Sequence, residues 1–239
     1  MAGCSQVVAG HELAKIMNAN TSIEPRRLRV VKQITDSLRR DFFVRPTSIV
    51  ARGLLGKTLL RRIQGQWVGG YIVETEAYLP SGDPASHSAR GKTPSNAAMF
   101  ERAGTLYVYP IHAKFCMNVV TEASGLGCAV LIRAIEPTEG IDIMRANRGY
   151  EDLRRLTRGP AMLCQALAVD RKQDGIDLVA GTELLIAEGR RHDTADVTAS
   201  TRIGISSATD LPLRFFVDGN RFVSGRASDH RQFRQPAVK

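Results

Sequence analysis

The chain has few aromatic residues, few lysines and no long uninterrupted hydrophobic run. Aromatic side chains make up 6% of its 239 residues. No stretch is apolar enough to span a bilayer, and the N-terminus lacks the long apolar core of a secretory signal. We therefore predict a protein without membrane contact that works in the cytoplasm.

Cysteine is also scarce and is not arranged for metal binding. The four cysteines, Cys4, Cys116, Cys128 and Cys164, form no C-x-x-C pair, and no histidine stands at zinc-finger spacing. The last three lie in apolar runs, which favours buried, reduced thiols in a reducing compartment. No metal and no cofactor is expected.

Positive charge, by contrast, is abundant. The net charge is +9 and the sequence pI is about 9.8, which favours a polyanionic partner such as nucleic acid. Only seven of the 33 basic side chains are lysines, so 26 are arginines. Guanidinium pairs bidentately with phosphate, which agrees with nucleic-acid binding, although GC-rich coding explains the same bias equally well.

The pattern of apolar residues predicts three regions. Residues 1–40 form a basic N-terminal extension, 41–230 form one folded domain, and 231–239 form a basic tail. Strands are expected at 58–62, 67–78, 105–109, 115–121, 129–135, 183–187 and 214–217, and helices at 48–56, 96–102, 139–147 and 160–168. Strands outnumber helices, which predicts an α+β domain around a curved, mostly antiparallel sheet with peripheral helices.

The segment 71–90 combines two carboxylates, an aromatic residue and a loop histidine. Strand alternation predicts that Ile72, Glu74, Glu76 and Tyr78 share one face. A carboxylate next to a tyrosine at the end of a strand would suit a general base at the floor of a pocket. A half-exposed strand with solvated glutamates explains the pattern equally well.

The predicted hairpin at 105–121 supplies two further aromatic residues. Tyr107 and Tyr109 share a face of their strand, and Ile111 and His112 lie at the exposed tip. Enzymes that act on a base inside DNA flip it out and stack it on aromatic side chains, at an unstacking cost of a few kcal/mol. The alternative is that both tyrosines pack against a neighbouring strand.

Eight segments, in order, resemble the alkyladenine (3-methyladenine) DNA glycosylase family. They are Ile-Val-Glu-Thr-Glu-Ala-Tyr at 72–78, Ala-Ser-His-Ser at 85–88, Thr-Pro-Ser-Asn-Ala-Ala-Met-Phe at 93–100, Gly-Thr-Leu-Tyr-Val-Tyr at 104–109, Phe-Cys-Met-Asn at 115–118, Val-Leu-Ile-Arg-Ala-Ile-Glu-Pro at 130–137, Gly-Pro-Ala-Met-Leu-Cys-Gln-Ala-Leu at 159–167 and Pro-Leu-Arg-Phe-Phe-Val at 212–217. One such string would be weak evidence, but eight in register are specific.

The resemblance implies a role for several residues. Glu76 matches the general base, Arg133 matches the arginine that helps to hold the nucleophilic water, and Glu74 matches a supporting carboxylate. The residues that grip the damaged base correspond to Tyr78, His87 and Tyr109. The family's asparagine gate, which opposes purines with a 2-amino group, corresponds to Asn118.

The hairpin tip departs from the pattern of the better-known members, which carry a tyrosine followed by glycine as the wedge that enters the helix. Here the run is Tyr-Pro-Ile-His-Ala-Lys, one residue shorter than in those members. His112 is the first candidate for the wedge by position, and Ile111 is the second.

The activity implied is hydrolysis of the N-glycosidic bond of alkylated or deaminated purines in DNA, which leaves an abasic site. The expected substrates are 3-methyladenine, 7-methylguanine, hypoxanthine and ethenoadenine in double-stranded DNA, bound by a monomer without lyase activity. Two rival functions remain open. One is a nucleoside or glycoside hydrolase that uses Glu74 and Glu76 as a pair, and the other is a non-catalytic nucleic-acid-binding domain.

Overall fold

The strands form one antiparallel sheet in the computed structural model, which describes residues 37–190 and 196–230. In these ranges the strands are β1 (Thr58–Ile63), β2 (Gln66–Tyr78), β3 (Leu106–Ile111), β4 (Lys114–Val120), β5 (Ala129–Glu139), β6 (Leu184–Ala187), β7 (Val197–Ser200) and β8 (Arg214–Val217). The helices are α1 (Arg40–Phe43), α2 (Thr47–Gly53), α3 (Ile141–Arg148), α4 (Arg154–Thr157) and α5 (Pro160–Ala166). Short 3-10 turns lie at His87–Arg90, Ala97–Phe100, Arg171–Gln173 and Ala227–His230. The predicted α+β class is confirmed.

The long strand β2 organises the sheet. The strand order is β3-β4-β5-β2-β1-β6, and β8 joins β2 and β7. The first half of β2 pairs with β1 on one side, and its second half pairs with β8 on that same side, while β5 follows it along the other. The second half of β2, which carries both glutamates, is therefore enclosed by β5 and β8.

Two adjacent glycines allow the neighbouring strands to approach β2 closely. A Cβ atom on Gly69 would lie 1.9 Å from the carbonyl oxygen of Leu59, and one on Gly70 would lie 2.0 Å from that of Glu136. Both distances are far below van der Waals contact, so no other residue fits at either position. The register of β2 against β5 also shifts between these two glycines. Glycine within a strand is typical of such a bulge or close approach.

Helices cover one face of the sheet and bury the main hydrophobic core. The Thr75 hydroxyl donates a hydrogen bond of 2.9 Å to the carbonyl oxygen of Ala51 in α2, so Thr75 faces this core. Glu74 and Glu76, on either side of Thr75, consequently point to the opposite face. The core includes Val50, Leu54, Ile72, Val73, Ala77, Val130, Ile132 and Leu163.

The structure corrects four details of the sequence-based expectations. Ile72 does not share the face of the glutamates, because a register shift between Ile72 and Glu74 breaks the alternation and both Ile72 and Val73 enter the core. The helix expected at 48–56 ends at Gly53. The first hairpin strand extends to Ile111 and the second begins at Lys114, which leaves a two-residue turn. The short strand β7 was not predicted.

The ends of the described region bear on the predicted domain limits. Ser37 forms a β-bridge with Ala187, and Leu38 is buried, so the described fold begins before residue 41. Residues 1–36 of the predicted extension and the tail at 231–239 lie outside the described residues. None of the helices in the described part of the chain has the length and apolar character that a membrane crossing requires.

Candidate active site

A row of directly opposed residues crosses the sheet on the face away from the main core. Tyr107 in β3 is opposite Asn118 in β4, which is opposite Leu131 in β5. Leu131 is opposite Glu76 in β2, and Glu76 is opposite Arg214 in β8. Opposed residues of antiparallel strands project from the same face. Strand register therefore brings residues from five separate strands to one site.

Glu76 is fully buried and held by three donors. Its Oε1 accepts a hydrogen bond of 2.8 Å from the backbone N–H of Ile203 and lies 3.1 Å from Nη1 of Arg133. Its Oε2 accepts a hydrogen bond of 3.0 Å from the Tyr78 hydroxyl. The solvated-glutamate alternative is wrong, because the side chain has no exposure to solvent. These contacts fix the orientation of the carboxylate.

Arg133 bridges the two glutamates from a β-bulge. The register of β5 against β2 shifts between Glu74 and Thr75, which leaves Arg133 as the extra residue on β5. Its Nε donates to Oε1 of Glu74 at 2.8 Å, its Nη2 donates to the Ser224 hydroxyl at 3.2 Å, and its Nη1 faces Glu76. Burial acts to lower the pKa of Arg133, but the charges of Glu76 and Glu74 outweigh burial. The pKa is therefore raised above its usual value, and the guanidinium stays charged.

Glu74 accepts four hydrogen bonds, three of them at one oxygen atom. Its Oε1 accepts hydrogen bonds from Arg133 Nε, from Arg214 Nε at 2.7 Å and from the Ser224 hydroxyl at 2.9 Å, and its Oε2 accepts one from the Ser224 backbone N–H at 2.7 Å. Burial acts to raise the pKa of Glu74, but the charges of Arg133 and Arg214, with these hydrogen bonds, hold it below its usual value. Glu74 is therefore an ionised carboxylate held by two arginines and a serine.

Arg214 and Ser224 complete this network, and neither was predicted as a site residue. Arg214 is completely buried and also donates to the Ser200 hydroxyl at 2.8 Å and to the carbonyl oxygens of Asp229 and Ser224 at 2.6 and 3.2 Å. An arginine in the apolar strand Arg-Phe-Phe-Val was the available signal, because a buried arginine requires a carboxylate partner. The identity of that partner, Glu74, could not be read from the sequence.

Three tyrosines and a histidine form an aromatic cluster beside Glu76. The ring centroids of Tyr107 and Tyr109 are 5.7 Å apart, and the His87 ring meets Tyr109 edge-on at 4.4 Å. The Nδ1 of His87 lies 2.8 Å from the Tyr107 hydroxyl oxygen. Tyr78 joins the group through its hydrogen bond to Glu76 and through packing in the same small apolar cluster. The predicted base-gripping residues Tyr78, His87 and Tyr109 therefore lie together.

Burial keeps these aromatic groups uncharged. It raises the pKa of Tyr107 to about 12 and raises the pKa values of Tyr78 and Tyr109 further, with Glu76 adding to the effect at Tyr78. Burial lowers the pKa of His87 below its ordinary value. At neutral pH the cluster presents phenols and a neutral imidazole, which can donate hydrogen bonds and stack.

Asn118 and the hairpin tip occupy the positions expected from the sequence. Asn118 is buried, and its Nδ2 donates a hydrogen bond of 3.0 Å to the carbonyl oxygen of its strand neighbour Tyr107. Ile111 is 39% exposed at the end of β3. His112 and Ala113 form the exposed two-residue turn, and both have positive φ values, 44° and 59°. Their functional roles remain predictions.

The site contains no arrangement of metal ligands. Within residues 37–190 and 196–230, no group of three or more His, Cys, Asp or Glu residues could hold a metal ion. Cys116, Cys128 and Cys164 are free thiols and are buried, as predicted. Burial raises the pKa of the Cys116 thiol, and Cys116 is directly opposite Tyr109 in the β3–β4 strand pair.

Comparison with known proteins agrees with this geometry. A family model described as Methylpurine-DNA glycosylase (MPG) matches residues 41–221. A protein of Rhodopirellula baltica is 55% identical over 209 residues, which cover 85% of this chain and 90% of that protein. One of Carboxydothermus hydrogenoformans is 47% identical over 188 residues, which cover 78% of this chain and 98% of that protein. Both relatives are named as inferred 3-methyladenine DNA glycosylases. The chain belongs to the methylpurine-DNA glycosylase family.

Proposed function

We propose that this protein flips alkylated or deaminated purines out of double-stranded DNA and hydrolyses their N-glycosidic bonds. Its family membership identifies it as a DNA glycosylase that acts in DNA repair. The proposed substrates are 3-methyladenine, 7-methylguanine, hypoxanthine and ethenoadenine. The observation that carries the proposal is the buried carboxylate of Glu76, held by Arg133 and Tyr78 at the edge of the aromatic cluster. The product is an abasic site.

Glu76 is the proposed general base. Cleavage of the N-glycosidic bond builds positive charge on the sugar, so a fixed carboxylate stabilises that charge and removes a proton from the attacking water. The guanidinium of Arg133, 3.1 Å from Glu76, supplies hydrogen-bond donors that would hold this water. General-base assistance contributes about 10²–10⁴-fold to a rate, so the loss of the Glu76 carboxylate should reduce turnover by at least that factor.

The aromatic cluster is the proposed base pocket. Tyr78, His87 and Tyr109 would contact the flipped purine, and stacking of a base on an aromatic ring contributes about 1–3 kcal/mol. Asn118, on the same sheet face, would oppose purines that carry a 2-amino group. A cationic base such as 3-methyladenine departs readily, whereas a neutral base such as hypoxanthine also requires protonation.

The exposed hairpin tip is the proposed wedge. When a base leaves the stack, the gap is filled by a side chain from the enzyme, and the imidazole of His112 is planar and fully presented at the turn. Ile111 is the second candidate. An imidazole offers less stacking area than a phenol, so we expect a weaker hold on the flipped state than a tyrosine would give.

The remaining parts of the proposal concern the partner and the type of chemistry. One lesion requires one protein molecule, so we propose a monomer that acts on chromosomal DNA in the cytoplasm. The net charge of +9 favours phosphate contact, and binding should weaken as salt rises. The proposed catalytic and base-binding residues include no lysine, so a Schiff base and strand cleavage are not expected.

The two rival functions are less compatible with the contacts. A two-carboxylate glycoside hydrolase needs one carboxyl group that can donate a proton, whereas Arg133 and Arg214 hold the pKa of Glu74 below its usual value. A non-catalytic binding domain has no use for a buried carboxylate held by three donors.

The test is single-turnover base release from a duplex with one hypoxanthine and from alkylated DNA. Wild type should release both bases, and Glu76→Gln should lose release while it keeps lesion binding. Glu101→Gln, at a half-exposed glutamate, is the matched control and should behave as wild type. Release that survives in Glu76→Gln would refute the role of Glu76. Tight binding without release by wild type would favour the binding domain.

A further inference from the structure

A further buried ion pair lies beside Tyr78. Arg202 follows β7, and Asp83 lies in the loop after β2. Their side chains form a bidentate pair of 2.7 and 2.6 Å, and both are completely buried. Bidentate guanidinium–carboxylate pairs fix relative orientation as well as distance. This pair therefore joins two segments that are distant in sequence.

Each partner of this pair holds a different part of the site. Arg202 donates to the carbonyl oxygen of Ala77 at 3.0 Å, and its guanidinium lies over the Tyr78 ring, 4.7 Å from the centroid. Ile203, the next residue, donates its backbone N–H to Glu76. One arginine thus covers one face of Tyr78 and sets the position of a donor to the carboxylate.

Asp83 fixes the loop that carries His87. Its carboxylate accepts hydrogen bonds from the backbone N–H groups of Leu79 at 3.0 Å and Ala85 at 3.2 Å, in addition to those from Arg202. Ala85 lies two residues before His87. The ion pair therefore connects the loop of His87 to the strand end of Tyr78.

The Arg202 side chain also carries one hydrogen-bond donor that is unsatisfied within the described part of the chain. The Nε of Arg202 is buried and has no hydrogen-bond partner among the described residues. A buried donor without a partner costs stability, and such groups in native structures call for an explanation. The guanidinium of Arg202 makes a cation–π contact with the Tyr78 ring, and this contact offsets part of the cost of the missing hydrogen bond.

We propose that Arg202 and Asp83 are a positioning pair that sets Tyr78, the Ile203 N–H and the His87 loop for base release, an inference that rests on the proposed function. The pair contacts neither water nor base in this scheme. It acts through Tyr78 and Glu76, and a displacement of reacting groups by about 1 Å can cost about 10²-fold in rate.

The experiment compares Arg202→Lys, Arg202→Met and Asp83→Asn in single-turnover base release and in binding to undamaged duplex. We expect about 10²-fold slower release in Arg202→Met and Asp83→Asn, with unchanged binding to undamaged DNA. Arg202→Lys should recover part of the rate because it retains the charge. Arg61→Met is the control, because Arg61 is a largely buried arginine that also has nitrogens without a hydrogen-bond partner among the described residues, and it pairs with the 42% exposed Glu183 where β1 meets β6. Equal losses in the Arg61 variant, or wild-type release in Asp83→Asn, would overturn the proposal.

Amide hydrogen exchange measured by NMR tests the same pair without any substrate. The Ile203 amide should exchange faster in Asp83→Asn, whereas the Leu38 amide, which donates to the Ile186 carbonyl oxygen, should be unaffected. Unchanged exchange at Ile203 would overturn the positioning role. This readout remains informative even if wild type releases no base, so failure of the proposed function and failure of the positioning pair can be told apart.

Discussion

The Nε of Arg214 lies 2.7 Å from Oε1 of Glu74, and neither side chain has any exposure to solvent. The pair joins strands β8 and β2 and holds a fixed positive charge against the carboxylate of Glu74. Buried ion pairs contribute little over an apolar pair of the same shape, but loss of one partner is costly because the other charge stays buried.

Removal of the Arg214 guanidinium should therefore destabilise the fold strongly. We expect Arg214→Met to lower the free energy of unfolding by about 3–5 kcal/mol, measured by urea denaturation. The control is Arg39→Met, because Arg39 forms a solvent-exposed pair with Asp41, and exposed pairs contribute about 0–1 kcal/mol. Similar losses in the two variants would contradict the assignment of Arg214 to a buried, desolvated network.

The lowered pKa of Glu74 predicts how stability depends on pH. Burial opposes ionisation, but Arg133 and Arg214 hold the pKa below the unfolded value of about 4.3. A carboxylate of this kind contributes stability above its unfolded pKa and loses it as pH falls through the folded pKa. Urea denaturation below about pH 5 should show a steeper loss for wild type than for Glu74→Gln. Parallel curves would show that Glu74 does not titrate as the contacts require.

His87 should remain neutral at pH values where an exposed histidine is already charged. Burial lowers its pKa, so the unfolded chain takes up the proton first and stability falls as pH drops through about 6.5. NMR titration of the ring protons, assigned with His87→Gln, should give a pKa below about 6.5. A pKa above that value would mean that a charged imidazole lies beside Tyr107 and Tyr109, against the contacts described.

The hairpin tip offers a matched pair of glycine substitutions. His112 and Ala113 both have positive φ values, a conformation that glycine adopts without strain, so both His112→Gly and Ala113→Gly should fold well. Only His112→Gly removes the imidazole. We expect it to weaken binding to lesion-containing duplex by about 1–3 kcal/mol, measured by fluorescence anisotropy, with Ala113→Gly close to wild type.

The outcome at Ile111 separates the two candidates for the wedge. Ile111→Ala should weaken binding to lesion-containing duplex less than His112→Gly does. A larger loss in Ile111→Ala than in His112→Gly would transfer the wedge role to the isoleucine.

The parts of the site that could be predicted from sequence are those that depend on local periodicity. Glu76 and Tyr78 share a face because they are two residues apart on a strand, and the motifs around them carried the family resemblance. The position of Ile72 was wrong because a bulge interrupts that periodicity, and bulges depend on the partner strand. The four-residue β7 was missed because Val-Thr-Ala-Ser has too little apolar alternation to be distinguished from a loop.

The parts that could not be predicted depend on contacts between distant segments. Arg214 and Ser224 reach Glu74 only after β8 pairs with β2, and Ile203 reaches Glu76 only because the chain after β7 crosses the strand end. A backbone N–H donor has no side-chain signature, so no residue type could have identified Ile203. Sequence thus indicates candidate residues for the chemistry but not the residues that hold those candidates in place.

The distance along the chain between Glu76 and its partners also determines when the site can exist during synthesis. The hairpins of β1 with β2 and of β3 with β4 close short loops, whereas Ile203 and Arg214 close loops of more than a hundred residues back to Glu76 and Glu74. Long loops close later, and a ribosome delivers the N-terminal strands first. A nascent chain that has not yet added β8 holds two carboxylates without their second arginine. We therefore expect the enzyme to become active only once nearly the whole domain has left the ribosome.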